Sequence, residues 1–234
     1  MRQNTLVLFD VDKTLVDATE ITTEAFYRAF KEKFNVHATY TDVKHAGVPF
    51  FTIIANLIEK VGGNPTGKEV HETYLKILEH ERRLVKTMPV HVMDGVFGLL
   101  CDLSCLPNVC IGLLTGNPPE ILELLLSTAK LNFFRKDLWS LGSEWKTRAE
   151  GVLLAKHRCE KNRGMRVDKI VVVGDSDVEI IAAKQAQKET GVPTFVVSVA
   201  TGSFSREQLE KLGANLVVDN FAKHGEVAKL ILAL

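Results

Sequence analysis

Short apolar runs alternate with amphipathic stretches along most of this chain. Leu6–Phe9, Val109–Leu114, Ile170–Val173, Thr194–Val199 and Leu216–Val218 are rich in Val, Ile, Leu and Phe and read as buried strands. Between them, Pro118–Lys130 carries Ile121, Leu122, Leu124, Leu125 and Leu126 behind two prolines, a favoured helix start. Arg148–Arg158 carries Val152, Leu153, Leu154 and Ala155. Asp177–Thr190 carries Val178, Ile180, Ile181, Ala182, Ala183 and Ala186, and Gly191-Val192-Pro193 stops it. Strands alternating with helices predict an α/β fold with a doubly wound parallel sheet.

One region departs from that alternation. From about Ala18 to Thr87 the pattern is helical, with no convincing strand. Ile21–Phe34 sets Ala25, Phe26, Ala29, Phe30 and Phe34 along one side, and Phe50–Val61 and Val70–Val85 follow, separated by Gly62-Gly63-Asn64-Pro65. The pattern predicts a core of residues 1–17 and 88–234, with residues 18–87 as a helical insert after the first strand. A helix beginning near Asp94-Gly95 returns the chain to the core.

Composition adds boundaries rather than identity. The 234 residues are 46% hydrophobic and 25% charged, with zero formal net charge. That is an ordinary globular composition and gives no reason to expect a nucleic-acid partner. No stretch reaches transmembrane length, and Met1-Arg2-Gln3-Asn4-Thr5 lacks a secretory pattern, so a cytoplasmic protein is expected. Cys101, Cys105, Cys110 and Cys159 form no C-x-x-C pair and read as reduced, mostly buried thiols. Mixed-sign runs such as Lys31-Glu32-Lys33 and Glu79-His80-Glu81-Arg82-Arg83 read as solvated helix faces.

The chemistry lies at strand ends. Leu6-Val7-Leu8-Phe9 runs into Asp10-Val11-Asp12-Lys13-Thr14. Alternation turns Asp10 and Asp12 the same way, and two such carboxylates resist ionising together unless a cation or proton sits with them. A second strand ends in Thr115-Gly116-Asn117 and a third in Gly174-Asp175-Ser176-Asp177-Val178-Glu179, each just ahead of a helix. Open parallel sheets bind ligands outside the carboxyl ends of their strands. Thr115, Gly116 and Asn117 suit an anion near a helix N-terminus, and Asp10 and Asp175 supply hard oxygen donors of the kind Mg²⁺ takes.

Over nearly its full length the chain resembles the haloacid dehalogenase superfamily of phosphohydrolases, in particular phosphoglycolate-phosphatase-like members with a helical cap. Asp10, Asp12 and Thr14 meet that family's D-x-D-x-T motif, Thr115 its second motif, and Asp175 with Glu179 its acidic motif. Gly213-Ala214-Asn215-Leu216-Val217-Val218-Asp219 is similar to its closing strand. The resemblance implies a Mg²⁺-dependent phosphatase in which Asp10 forms an aspartyl-phosphate and Asp12 shuttles the proton. It implies Mg²⁺ held near Asp10, Asp12 and Asp175, with Glu179, or instead Asp177, as the further acid. Phosphate would be held by Thr115, Gly116 and a basic residue, with Arg148 favoured by its spacing to the apolar helix positions and Lys146 the alternative.

The insert would then be the cap that reads the leaving group, with His45 in its specificity loop and Phe50 and Phe51 in its own core. The expected partner is a small phosphorylated metabolite, phosphoglycolate-like or a sugar phosphate, bound by a monomer or homodimer. Alternatives within the family are a phosphosugar mutase and a phosphonatase, the latter needing a cap lysine such as Lys31, Lys33 or Lys44. A haloacid dehalogenase is disfavoured by Asp12, because a halide needs no proton. A non-catalytic relative would be expected to lack one of Asp10, Asp12 and Asp175.

Overall fold

The computed structural model describes residues 3–234; Met1 and Arg2, at the head of the first expected segment, lie outside the described residues. A six-stranded parallel sheet runs β5-β4-β1-β6-β7-β8. Its strands are β1 (Thr5–Phe9), β4 (Val109–Thr115), β5 (Trp139–Leu141), β6 (Lys169–Gly174), β7 (Thr194–Val199) and β8 (Leu216–Val218). β1 pairs in parallel with β4 on one side and β6 on the other, so Phe9 sits beside Leu113 and Val173. The chain builds outward from β1 to β5, then returns to β6 and builds the other way. β1 is therefore the point where strand order reverses, and the crevice at its carboxyl end is the natural ligand site.

Side-chain alternation along the strands divides the core into two layers. Val7, Phe9, Val171 and Val173 face one layer, packed by α4 (Val96–Ser104), α5 (Pro119–Thr128) and α9 (His224–Ala233). Leu6, Leu8, Ile170 and Val172 face the other, packed by α6 (Arg148–Arg163), α7 (Asp177–Thr190) and α8 (Arg206–Leu212).

The expected helical stretch holds α1 (Thr19–Phe34), α2 (Phe50–Lys60) and α3 (Gly67–Leu84), with a 3₁₀ turn at Tyr40–Asp42. These share a third apolar cluster, including Phe26, Phe30, Ile54, Leu57 and Ile77, which also takes Ile121 and Leu125 from α5. A two-stranded antiparallel ribbon, β2 (Val16–Asp17) with β3 (His91–Val92), joins the two ends of this stretch.

Several expectations need correcting. β5, the β2–β3 ribbon, α8 and α9 were not foreseen; the new strands are two or three residues long, too short for alternation to show. The run around Glu79 is not wholly solvated: His80 is 4% exposed and Glu81 0%. Glu81 falls on the stripe of Tyr74, Ile77, Leu78 and Leu84, all buried. Cys110 and Cys159 are buried as expected, but Cys101 and Cys105 are exposed; all four thiols are free. Among the described residues no helix is long and apolar enough to cross a membrane.

Candidate active site

The reversal point delivers two acids. The Asp10 N–H donates to the Val173 carbonyl at 2.8 Å, holding the last extended step of β1 in the sheet. The chain then turns sharply. Leu15 and Val16 N–H groups both donate to the Val11 carbonyl, and Lys13 takes a left-handed conformation at φ 60°. Asp10 and Asp12 thereby line one cavity of about 540 Å³. The Asn117 side-chain amide donates to the Asp12 carboxylate at 2.7 Å.

The loop after β4 contributes unevenly. Gly116 and Asn117 line the cavity, whereas Thr115 is fully buried outside the lining and its hydroxyl accepts the Asn117 N–H at 3.2 Å. A Cβ on Gly116 would lie 2.7 Å from the Val48 carbonyl oxygen, so only glycine lets the insert's loop approach so closely. Thr14 is likewise fully buried, and its hydroxyl has no partner.

Thr147 caps α6 by accepting the Glu150 N–H at 3.3 Å, which places Arg148 at the first helical position. Its buried guanidinium donates to the Asp10 carboxylate and to the Leu114 carbonyl at 2.9 Å, and pairs with Glu179 at 2.9 Å. Lys146, two residues earlier, is exposed and does not line the cavity. A capping box at the start of α7 holds Glu179: the Ser176 N–H and hydroxyl donate to its carboxylate at 3.1 and 2.7 Å. Asp175 lines the cavity beside it, and Asp177 does not. Gly202 is fitted against Asp175, since a Cβ there would fall 1.7 Å from the carboxylate oxygen.

The electrostatics follow from four acids around one guanidinium. Burial pushes the Asp10 carboxyl up to about 6; Arg148 opposes this and Asp12 adds to it. Burial, then the charges of Asp10 and Glu179, push Asp175 up to about 8. Asp12 keeps accessible surface within the cavity wall, yet loss of bulk water still raises its carboxyl, against the Asn117 hydrogen bond. Burial also raises Glu179, with Arg148 opposing. Burial works against the Arg148 charge, but Glu179 and Asp10 outweigh it and hold the guanidinium protonated. Negative charge is in surplus, which suits a cation.

Among the described residues no three Asp, Glu, His or Cys side chains converge as a ready-made metal cluster. Mg²⁺ does not require one. It takes one or two carboxylates and fills its shell with waters and phosphate oxygens, so the paired hard oxygens of Asp10 and Asp175 fit it. The far wall differs in kind. It carries Thr19, Thr22, Tyr40, Thr41 and His45, with Phe26, Phe50 and Ile53 between them. The His45 Nδ1 lies 3.1 Å from the Val43 carbonyl, and its ring sits edge-on to Tyr40. Phe50 belongs both to the insert's apolar cluster and to the cavity wall. Lys31, Lys33 and Lys44 do not line the cavity; Lys33 pairs with Glu69 and Glu72.

The sequence reading missed this hydroxyl-bearing wall, and also Lys13, Thr201 and Ser203. Thr201 follows β7, a fourth strand end that the strand-end rule could have reached, and its hydroxyl donates to the Lys13 carbonyl at 2.5 Å. Thr19 and Thr22 gave a fainter signal, two hydroxyls three residues apart at a helix start.

Solved structures share this fold. A putative beta-phosphoglucomutase from Bacteroides vulgatus is 21% identical with a TM-score of 0.69, covering 99% of this chain and 91% of that one. A predicted phosphoglycolate phosphatase from Haemophilus somnus 129pt is 16% identical with a TM-score of 0.72, covering 97% and 98%. CbbY from Rhodobacter sphaeroides, in complex with phosphate, is 20% identical with a TM-score of 0.73, covering 99% and 100%. No curated protein matches the sequence. The model of the haloacid dehalogenase-like hydrolases matches residues 7–197, which spans both acidic strand ends and the whole helical insert, and the chain belongs to that family.

Proposed function

We propose that this hydrolase is a Mg²⁺-dependent phosphatase acting on small phosphorylated metabolites, with residues 18–87 as its cap. One observation carries the reading: Asp10 and Asp12 face a single cavity, but their carboxylates are held by unlike partners, Arg148 for Asp10 and the neutral Asn117 amide for Asp12. That difference suits two roles. The Asp10 oxygen attacks phosphorus, the bond from phosphorus to the leaving oxygen breaks, and Asp12 gives that oxygen its proton. Asp12 then takes a proton from the water that attacks the aspartyl-phosphate, releasing inorganic phosphate and restoring Asp10. Asp10, Asp175 and the Asp12 backbone would hold Mg²⁺, which when bound supplies positive charge to the transferring phosphoryl group. Arg148 keeps Asp10 ionised and aimed, Glu179, itself held by Ser176, fixes Arg148, and the Gly116 loop faces the phosphate oxygens.

The cap wall indicates the leaving group. Among the residues lining the cavity the basic groups are Lys13, which is paired with Asp17 at 2.7 Å, Arg148, which is paired with Asp10 and Glu179, and His45. A carboxylate such as that of phosphoglycolate would meet no unpaired Lys or Arg there. A neutral, hydroxylated leaving group would meet the hydroxyls of Thr19, Thr22, Tyr40 and Thr41, so a sugar phosphate is the better substrate. Release of phosphate from an aryl phosphate and from a panel of phosphometabolites, with Mg²⁺ and with chelator, tests this. Turnover that needs Mg²⁺ and favours sugar phosphates over phosphoglycolate is expected; inactivity throughout refutes it. Asp10→Asn should lower kcat by at least about a thousandfold while the circular dichroism spectrum stays unchanged.

A further inference from the structure

Glu81 is the one acid in the helical insert that burial alone makes hard to explain. It is 0% exposed, and neither carboxyl oxygen has a hydrogen-bond partner of good geometry. Its neighbours along the buried stripe of α3 are Tyr74, Ile77, Leu78 and Leu84, where a leucine would serve packing better. No Lys, Arg or His among the described residues forms an ion pair with it. The adjacent His80 turns its Nε2 to Glu32 at 3.0 Å.

What lies beside Glu81 is the cavity wall. α1 and α3 pack against each other, which sets the Thr22 side chain near the Glu81 carboxyl without a formed hydrogen bond, and Thr22 lines the cavity that holds Asp10 and Asp12. The charge of Asp12 is felt at Glu81 across that wall. Thr22 is also unlike the next residue. The Thr23 hydroxyl bonds back to the Thr19 carbonyl at 2.7 Å, whereas no such bond ties the Thr22 hydroxyl to its own helix. It is therefore available to a partner behind it and a ligand in front of it.

We propose that Glu81 is a positioning residue for substrate selection, setting the Thr22 hydroxyl so that it hydrogen-bonds a hydroxyl of a polyhydroxylated leaving group. The proposal rests on reading the cavity as a phosphatase site and adds to it the group that selects among phosphate esters. A hydroxyl has one donor and two acceptor positions, so bonding to Glu81 on one side leaves Thr22 able to serve the ligand on the other. Burial, with Asp12 adding to it and Thr22 opposing, pushes the Glu81 carboxyl up to about 8. Near neutrality it is then mostly the neutral acid, which can either donate or accept, and a glutamine in its place would keep both abilities.

The test uses the full chain with Mg²⁺ and compares two substrates. One is p-nitrophenyl phosphate, whose leaving group presents no further hydroxyl. The other is whichever of a set of tetrose, pentose and hexose monophosphates the parent protein turns over fastest. The reading is the ratio of kcat/KM for the sugar phosphate to that for the aryl phosphate. Glu81→Leu should lower this ratio about tenfold, chiefly through KM for the sugar phosphate, with no fall in Tm. Glu81→Gln should restore most of the ratio. Thr22→Val should lower it as far as Glu81→Leu, and the double variant no further, because both remove one interaction. An unchanged ratio in Glu81→Leu, or additive losses in the double variant, overturns the assignment. A parent that hydrolyses the aryl phosphate but no sugar phosphate overturns it while leaving the phosphatase reading intact. A parent inactive on every ester overturns both.

Discussion

The floor and the roof of the cavity both bury acids, but they treat them differently. On the floor three of the four carboxylates have protein partners, Arg148 for Asp10 and Glu179, Ser176 also for Glu179, and Asn117 for Asp12, while Asp175, pushed up to about 8, is left for a cation. Behind the roof Glu81 has no ion-pair partner among the described residues, and the polar group near it is the Thr22 hydroxyl. Compensated acids can stay charged and do chemistry on a phosphoryl group. An uncompensated one is driven toward its neutral form and is suited to hydrogen-bonding a neutral ligand.

Removing the floor's compensation should have the largest effect. Arg148→Met leaves Asp10 and Glu179 buried without their cation, and stability should fall by about 3–5 kcal/mol, seen as a lower denaturant midpoint together with lost turnover. The roof should show itself through pH. Glu81 has a folded pKa of about 8, above the ordinary glutamate value of 4.5, so the folded state binds its proton more tightly than the unfolded chain does. Stability from this group is present below about pH 4.5 and is lost as pH rises toward 8, at up to about 1.4 kcal/mol per pH unit. Denaturant melts of Glu81→Gln beside the parent at pH 5 and pH 8 should show a shallower decline in the variant. An equal decline would mean that Glu81 is not the uncompensated acid described. The smallest effect should come from Lys146→Ala. Lys146 lies outside the cavity, so kcat should stay within about twofold, sharpening the contrast with Arg148 two residues away.

These contrasts mark what the sequence could convey. Strand ends are local: an apolar run, a turn and a polar group are contiguous, so Asp10, Asp12, Asn117 and Asp175 could be read directly. In the sequence only spacing to the apolar helix positions favours Arg148 over Lys146; what separates them in the structure is the Thr147 cap, which puts Arg148 at the first position of α6. Thr115 carried the right motif, yet it is fully buried outside the cavity lining with its hydroxyl accepting the Asn117 N–H, a contact two residues long that composition does not reveal. Glu81 was concealed by its neighbours. Set among Glu79, His80, Arg82 and Arg83 it looked solvated, and only the spacing to Tyr74, Ile77, Leu78 and Leu84 betrayed a buried stripe. The short strands β2, β3 and β5 carry too few residues for a period of two to register, and α8 buries only Leu209.

The close approach of the insert's loop to Gly116 also fastens the insert to the sheet. The Phe50 N–H donates to the Gly116 carbonyl at 3.0 Å, so the first residue of α2 is fastened by its backbone to the loop beyond β4. Any swing of the helical insert away from the sheet must break that bond, and the Phe50 amide becomes an isotopic clock for the motion. The Thr52 amide, bonded within its own turn to the Pro49 carbonyl at 2.9 Å, is the built-in reference. In deuterated buffer, Mg²⁺ with inorganic phosphate should slow exchange at Phe50 several-fold more than at Thr52, timing how often the insert parts from the sheet.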